Sequence, residues 1–210
     1  MPQQPIPDLK PYFQTLNDLD GPIDFPAFFG NRNPVEIDVG CGRGLFLVNA
    51  SKANPSVNYL GIEIDYKEGR RGARRLSKRE APNARVLGGD VATVFDKHIV
   101  PQSVAAVHVY FPDPWWKRRH RRRRVFTDVL VERMVRVLAT GGLVHSWTDV
   151  DEYFEVIRAL MDNDPRFETL PMPQEVAPQH DLDYRTSFER KKRQAGYTIR
   201  RGLWQLTPTV

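Results

Sequence analysis

The sequence contains a single cysteine, Cys41, among 210 residues, so the chain cannot form an intramolecular disulfide. It lacks any apolar stretch near the ~20 residues that a membrane-spanning helix needs. The first residues, Met1-Pro2-Gln3-Gln4-Pro5, lack the basic start and apolar core of a signal peptide. From these absences we expect a cytoplasmic protein.

A metal site is also not indicated by the sequence. The five histidines show no metal-ligand spacing; they are His98, His108, His120, His145 and His180. His108 and His145 fall on predicted buried strands, which favours a place in the core. The net charge of +5 and the pI near 9.4 are not extreme, so they point to a polyanionic partner only if the charge is clustered.

The length and an ordinary apolar content of 40% suit one domain with a sizeable core. Residues 1–34 are rich in proline and carry scattered aromatics, which predicts an irregular arm; residues 35–210 form the domain. Strand and helix patterns then alternate. Strands are predicted near 35–39, 57–64, 84–87, 104–110, 143–147, 167–170 and 196–206, and helices near 45–50, 66–80, 91–98, 124–139 and 150–161. This order predicts a doubly wound, mostly parallel, seven-stranded sheet with helices on both faces and an antiparallel last strand.

The stretch around which the chain is organised is Val35-Glu36-Ile37-Asp38-Val39-Gly40-Cys41-Gly42-Arg43-Gly44. It predicts a strand, a tight turn and a helix, and glycines let backbone approach a ligand closely. The spacing is G-x-G-x-G. The third glycine of the dinucleotide fingerprint would fall on Leu45, so the loop fits that pattern poorly. It fits the nucleoside-binding loop of S-adenosylmethionine (AdoMet) methyltransferases better.

Five successive predicted strands end at or near an acidic residue, and these residues are Asp38, Glu63, Asp90, Asp113 and Asp149. The carboxyl ends of parallel strands share one edge of the sheet, where ligands bind. Glu63, about twenty residues after the glycine loop, suits a bidentate bond to two ribose hydroxyls. Several acids suit a cationic cosubstrate and would repel a phosphate-rich one. Asp90 and Asp149 are also compatible with simple helix caps, and Asp113 with a turn.

Basic residues are densest directly after Phe111-Pro112-Asp113-Pro114-Trp115, in the run Trp116–Arg124. Clustered cations with aromatics favour nucleic acid over a solvated face. Arg70, Arg71, Arg74 and Arg75 predict a second basic face on a helix, for which simple solvation is an equal alternative. Further along, Thr186 and Glu189 match a capping box at a helix start.

These motifs, taken in order, resemble the bacterial tRNA (guanine-N7-)-methyltransferase family over about residues 35–200. The resemblance is carried by Asp38-x-Gly40-x-Gly42-x-Gly44, Gly61-Ile62-Glu63, Phe111–Trp115 with Lys117 and its basic tail, Thr148-Asp149, and Thr186-x-Phe188-Glu189. The Phe-Pro-Asp-Pro-Trp loop is highly specific, whereas many methyltransferases share the glycine loop.

The resemblance implies a class I methyltransferase fold with AdoMet as methyl donor. It implies transfer of the methyl group to N7 of a guanosine in the variable loop of tRNA, as a tRNA modification enzyme. Its AdoMet pocket corresponds to Asp38, Gly40, Gly42, Glu63, Asp90 and Asp113, with Asp113 also catalytic. Its tRNA contacts correspond to Lys117, Asp149, Thr186, Ser187, Phe188 and Glu189.

Three positions depart from the family pattern. The family usually has Glu where this chain has Asp38, and it often has Pro where this chain has Trp116. It commonly has Lys where this chain has Ser187. The shorter Asp38 is expected to weaken a contact with the donor, and none of the three removes a proposed catalytic group.

Competing interpretations remain open on the sequence. A NAD-dependent oxidoreductase conflicts with the missing third glycine and the acid-rich edge. An RNA-binding domain without catalysis conflicts with the intact glycine loop and Glu63. An AdoMet-dependent methyltransferase acting on another RNA or a small molecule is the alternative within the class. The sequence also leaves monomer and homodimer open.

Overall fold

The computed structural model describes residues 9–115, 119–120, 124–172, 184 and 186–208. Its strands are β1 (Phe13–Thr15), β2 (Val35–Val39), β3 (Asn58–Glu63), β4 (Ala84–Gly88), β5 (Val104–Tyr110), β6 (Leu138–Thr148), β7 (Phe167–Thr169) and β8 (Arg200–Leu206). Its helices are α1 (Phe25–Phe29), α2 (Leu45–Ala53), α3 (Tyr66–Lys78), α4 (Val91–His98), α5 (Asp128–Val137), α6 (Asp151–Asp162) and α7 (Ser187–Gln194).

In this part of the chain the strands form one sheet in the order β1-β4-β3-β2-β5-β6-β8-β7. Strands β1 to β6 pair in parallel, and β8 pairs antiparallel with both β6 and β7. From β2 the chain first builds outward through β3 and β4, then returns to place β5 on the other side of β2. A crevice therefore opens between the carboxyl ends of β2 and β5, the usual ligand position in such sheets.

Helices cover both faces of the sheet, which explains why every residue of β3 and β4 is buried. One face packs on α4, α5 and α6 through a cluster that includes Phe95, Met134 and Tyr153. The other packs on α2 and α3 through a cluster that includes Leu47 and Leu76. The predicted doubly wound architecture is confirmed. Among the described helices, none has the length and apolar character needed to cross a membrane.

The sheet has eight strands where seven are predicted, because β1 adds to the edge beside β4. This strand belongs to the predicted irregular arm, which also contains a 3-10 helix at Leu16–Asp18 and α1. Phe13, Phe25 and Phe29 of this segment are buried in the two clusters. Secondary structure thus begins well before residue 35, while the division into arm and domain stays a prediction.

The predicted helix 124–139 is shorter in the structure. Helix α5 begins at Asp128 because the Thr127 hydroxyl caps it, accepting a hydrogen bond from Leu130 N at 3.3 Å. The helix ends at Val137, before the two glycines expected to stop it. Those glycines lie in β6, where Gly141 has a φ of 79° and the register against β5 shifts.

Candidate active site

The glycine loop between β2 and α2 requires its glycines for two different reasons. Gly40, Gly42 and Gly44 all have left-handed φ values, of 76°, 52° and 66°, which other residues rarely adopt. A Cβ on Gly44 would lie 3.2 Å from Gly72 Cα, so this glycine also lets α3 pack on the loop. A Cβ on Gly40 or Gly42 would meet no described atom within 4 Å. The backbone of these two glycines is thus accessible to a ligand.

The Glu63 carboxylate, at the end of β3, is fixed by two backbone amides. Its Oε2 accepts from Gly42 N at 2.7 Å and its Oε1 accepts from Asp65 N at 2.9 Å. Each carboxylate oxygen has a second lone pair. The Glu63 carboxylate is therefore fixed in position and can accept hydrogen bonds from two neighbouring hydroxyl groups.

The Asp38 carboxyl lies under the loop and is only 4% exposed. Burial, and then the neighbouring charge of Glu63, raise the pKa of Asp38 to about 8. None of the hydrogen bonds and ion pairs of the described residues involves this carboxyl. A buried acid without a donor is costly unless a cation or a proton accompanies it. The amine and sulfonium of AdoMet fit this requirement, and a phosphate does not.

The Asp90 carboxylate caps α4, as the cap interpretation predicts. Its Oδ2 accepts from Thr93 N at 3.0 Å and from the Thr93 hydroxyl at 3.1 Å. No described donor contacts Oδ1, so a cap and a ligand contact are compatible at this residue.

The loop that carries Asp113 is held in an unusual conformation. Phe111 and Trp115, on either side, have φ values of 51° and 40°, and a positive φ at a bulky residue costs free energy and is common at functional sites. Phe111 N donates to Trp147 O at 2.7 Å, and Arg124 Nε donates to Pro114 O at 2.7 Å. Asp113 itself is exposed, three residues after the end of β5.

Arg124 is a functional candidate that sequence reasoning missed. It is predicted as the first residue of a helix, but its guanidinium holds the Asp113 loop and lies over the Tyr153 ring, 5.0 Å from the centroid. Its position at the end of the basic run was the only signal available. Of that run, residues 116–118, which include Lys117, and residues 121–123 lie outside the described residues.

Helix α7 is attached beside the Asp113 loop. The Phe188 ring, 59% exposed, stacks on Phe111 with centroids 6.2 Å apart and an interplanar angle of 21°. Lys192 Nζ lies 2.7 Å from the Asp149 carboxylate at the end of β6. Upstream of α7, Asn49 Nδ2 of α2 donates to Tyr184 O at 2.9 Å. The structure thus brings the predicted tRNA-contacting segment to the edge that carries the acids.

Individual side chains of this segment face different ways. Thr186 caps α7 as predicted, its hydroxyl accepting from Glu189 N at 2.9 Å, and Ser187 is the first residue of the helix. The Glu189 carboxylate is 5% exposed and lies 3.0 Å from Arg193 Nε and 3.3 Å from Arg201 Nη2. It holds α7 on β8 from inside, whereas Phe188 is available on the surface.

His108 and His145, the two histidines predicted to lie in the core, contact each other away from the acids at the strand ends. His108 is 3% exposed, and its Nε2 lies 2.7 Å from Glu36 Oε2 while its Nδ1 lies 2.9 Å from the Tyr110 hydroxyl. His145 stacks on His108 and is only partly buried. Its expected core position is therefore met in part.

The fold and the acid-rich carboxyl edge define the class as the class I AdoMet-dependent methyltransferases. Two solved structures share the fold at low identity. The 16S rRNA methyltransferase KamB has a TM-score of 0.64 at 16% identity and covers 88% of this chain and 93% of its own. A SAM-dependent methyltransferase from Aquifex aeolicus has a TM-score of 0.58 at 12% identity, with coverage of 85% and 86%.

Similarity in sequence identifies the family within this class. A family model described as "Putative methyltransferase" matches residues 32–201. The tRNA (guanine-N(7)-)-methyltransferase of Rhodopirellula baltica is 42% identical over 94% of this chain and 75% of its own. The enzyme of the same name from Pasteurella multocida is 31% identical over 92% and 74%. The chain belongs to the tRNA (guanine-N(7)-)-methyltransferase family.

Proposed function

We propose that the protein transfers a methyl group from AdoMet to N7 of a guanosine in the variable loop of tRNA. The observation that carries this proposal is the strand order, which reverses between β2 and β5, the point where ligands bind in such sheets. The glycine loop and Asp38 lie at the carboxyl end of β2, and the Asp113 loop follows β5 with α7 packed beside it. Donor and acceptor sites therefore meet at one edge of the sheet. We also propose that the reaction takes place in the cytoplasm, and the proposed tRNA substrate supports this.

AdoMet fits the residues at this edge by charge and by donor pattern. Glu63 would accept from the two ribose hydroxyls, and the backbone of Gly40 and Gly42 would lie along the nucleoside. The buried Asp38 carboxylate would balance positive charge on the donor, and Asp90 would offer its Oδ1 to the same ligand. The cosubstrate supplies the methyl group as a sulfonium. These five residues would bind and orient it.

In the proposed reaction the main task of the protein is to align the reacting atoms. Guanine N7 has a lone pair and no proton, so no general base is needed. The lone pair forms the N–CH₃ bond while the C–S bond breaks toward sulfur, which leaves neutral S-adenosylhomocysteine and a cationic purine. Alignment of nitrogen, carbon and sulfur supplies most of the rate. Asp113 would accept from the N1–H and amino group of the base and offset the charge that develops on the ring.

The tRNA side of the site would be formed by α7 and the basic run. Phe188 presents an exposed ring on which a base can stack. Thr186 and Ser187 lie at the first turn of α7, Asp149 holds that helix through Lys192, and Lys117 would contact phosphate. We assign Glu189 a positioning role in this recognition, because its carboxylate is engaged with two arginines.

Calorimetric titration tests the donor assignment. The wild type should bind AdoMet and not NAD. The Glu63→Ala variant should lose about 1.5–3 kcal/mol of AdoMet binding, the value of hydrogen bonds to a charged group. Asp65→Ala is the matched control, because the Asp65 carboxylate caps α3 by accepting from Lys67 N and Glu68 N. Unchanged AdoMet affinity in the Glu63→Ala variant would contradict the ribose assignment.

Methyl transfer to an unmodified tRNA transcript tests the acceptor. Labelled methyl groups should appear in tRNA, and chemical cleavage at 7-methylguanosine should map them to the variable loop. Label at another nucleotide, or on a small molecule only, would contradict the proposal.

A further inference from the structure

Helix α3, outside the proposed reaction site, carries an unusually basic surface. Its cations are Lys67, Arg70, Arg71, Arg74, Arg75 and Lys78, and Arg79 follows as its C-cap. Glu68 is the one acid within the helix. We call the surface formed by these seven cations the α3 face.

Most of this charge is not balanced within the described chain. Glu68 pairs with Arg71 and with Arg43, whose Nε lies 2.6 Å away. In the described residues Lys67, Arg74, Lys78 and Arg79 have no carboxylate within salt-bridge distance, and Arg74, Lys78 and Arg79 are exposed. Arg70 lies over the Phe13 ring at 5.5 Å. The α3 face therefore has a surplus of positive charge.

The arrangement costs stability in the free protein. Arg70 and Arg74, Arg71 and Arg75, and Arg74 and Lys78 are four residues apart, and like charges at that spacing destabilise a helix by tenths of a kcal/mol. The opposite side of α3 is buried through Gly69, Gly72, Ala73 and Leu76, which holds the helix in place despite this repulsion. A bound polyanion would turn the repulsion into attraction.

The α3 face is continuous with the donor site. A Cβ on Gly72 would lie 3.2 Å from the carbonyl carbon of Arg43, and Arg75 Nη1 donates to Arg43 O at 3.2 Å. Helix α3 starts after β3, at the carboxyl edge of the sheet. Strand β3 lies two strand spacings, or roughly 10 Å, from β5, and the Asp113 loop follows β5. From Lys67 to Lys78 the face runs for about 16 Å.

We propose that the α3 face is a second RNA-binding surface, which holds phosphates of the tRNA body while the methylated loop occupies the crevice. This inference rests on the proposed function. RNA is favoured over an acidic protein segment because five of the seven cations are arginines, whose planar fork matches phosphate geometry. Contact of α3 with the proposed donor site points the same way, because the acceptor nucleotide must reach that site.

The test compares two variants that lose the same charge. One is Arg74→Gln with Lys78→Gln and Arg79→Gln. The control is Arg32→Gln with Lys52→Gln and Lys97→Gln, three exposed cations that lie off the α3 face. We expect the α3 variant to bind unmodified tRNA more weakly, with a salt slope of log K reduced by about 2 to 2.7, or 0.7 to 0.9 per lost phosphate contact. AdoMet affinity and the rate at saturating tRNA should stay unchanged in both variants.

A full salt slope in the α3 variant would overturn the inference and leave an acidic protein as the partner of this face. An equal loss in the control would also overturn it, because the effect would then reflect net charge alone. Single substitution Arg74→Glu gives a second measurement and should weaken binding more than Arg74→Gln. If the wild type methylates tRNA normally, these outcomes concern only the α3 face; if it transfers no methyl group to tRNA, the proposed function fails separately.

Discussion

Phe111 and Phe188 stack nearly in parallel, with ring centroids 6.2 Å apart. Phe111 precedes Asp113 in a strained loop, and Phe188 lies in the first turn of α7. This contact joins the proposed catalytic loop to the segment proposed to contact tRNA. A base that stacks on Phe188 would therefore contact a side chain packed on the loop that we propose binds the target guanine.

Replacing Phe188 with alanine should weaken tRNA binding by about 1–3 kcal/mol, the usual value of one base–aromatic stack. We expect a higher KM for tRNA and an unchanged affinity for AdoMet. Tyr197→Ala is the matched control, because Tyr197 is also an exposed aromatic, at 54%, and in the described residues its ring lies against Lys192 rather than against the Asp113 loop. Equal kinetics in the two variants would remove Phe188 from the tRNA site.

The raised pKa of Asp38, about 8, predicts two pH effects. A cationic donor binds the ionised carboxyl, so AdoMet affinity of the wild type should rise with pH and level off above about pH 8. The folded state keeps this proton at a pH where the unfolded chain has lost it. The stability contributed by Asp38 is therefore present below its ordinary pKa of 3.8 and is lost as pH rises through about 8.

The Asp38→Asn variant should lack both effects. Relative to the wild type, its free energy of unfolding should increase between pH 5 and pH 8.5, by an amount on the order of a few kcal/mol. Its AdoMet affinity should be lower and nearly independent of pH. Urea titration and calorimetry at both pH values measure this, with Asp20→Asn as an exposed-carboxylate control. Parallel pH profiles for Asp38→Asn and the wild type would show that Asp38 is ionised in the free protein.

Asp113→Asn should be the most damaging conservative change for turnover. The substitution keeps the size of the side chain but places an amide donor where the base offers its own donors. Losing one such preorganised contact costs about a hundredfold in rate. Single-turnover methyl transfer with both substrates saturating measures it. A rate within a few-fold of the wild type would reduce Asp113 to a turn residue.

Glu189→Gln should destabilise the fold by about 3–5 kcal/mol, because it leaves the arginines around a buried site without their counter-charge. Urea unfolding measures this loss. Asp151→Asn is the control, since the Asp151 pair with Arg200 is exposed and its removal should hardly change stability. If the two variants unfold alike, Glu189 does not hold α7 and a direct contact with tRNA becomes its better assignment.

The strand–helix alternation and the acids at the strand ends could be read from the sequence because both follow local pattern rules. Apolar runs predict strands β2 to β5, and the glycine spacing predicts the loop before α2. β1 could not be predicted, because Phe13–Thr15 is short and becomes a strand only by pairing with β4. Local propensity has no information about that partner.

The buried ion pairs of Glu189 could not be predicted from the sequence either. The spacing from Thr186 predicts the cap, which the structure confirms, but Arg201 comes from β8 and meets Glu189 only in the folded chain. The same holds for Arg124, whose contact with Pro114 O replaces the helical start that its sequence position suggests. Non-local pairs of this kind decide which polar residues face inward.

The most direct measurement of the central claim uses a tRNA transcript in which 7-deazaguanosine replaces the variable-loop guanosine. This base keeps the Watson–Crick edge that Asp113 would hold but has carbon in place of N7. We predict that the modified transcript binds with near-normal affinity and accepts no methyl group, while the unmodified transcript is methylated at that guanosine. Equal methylation of the two transcripts would contradict transfer to N7 of that nucleotide.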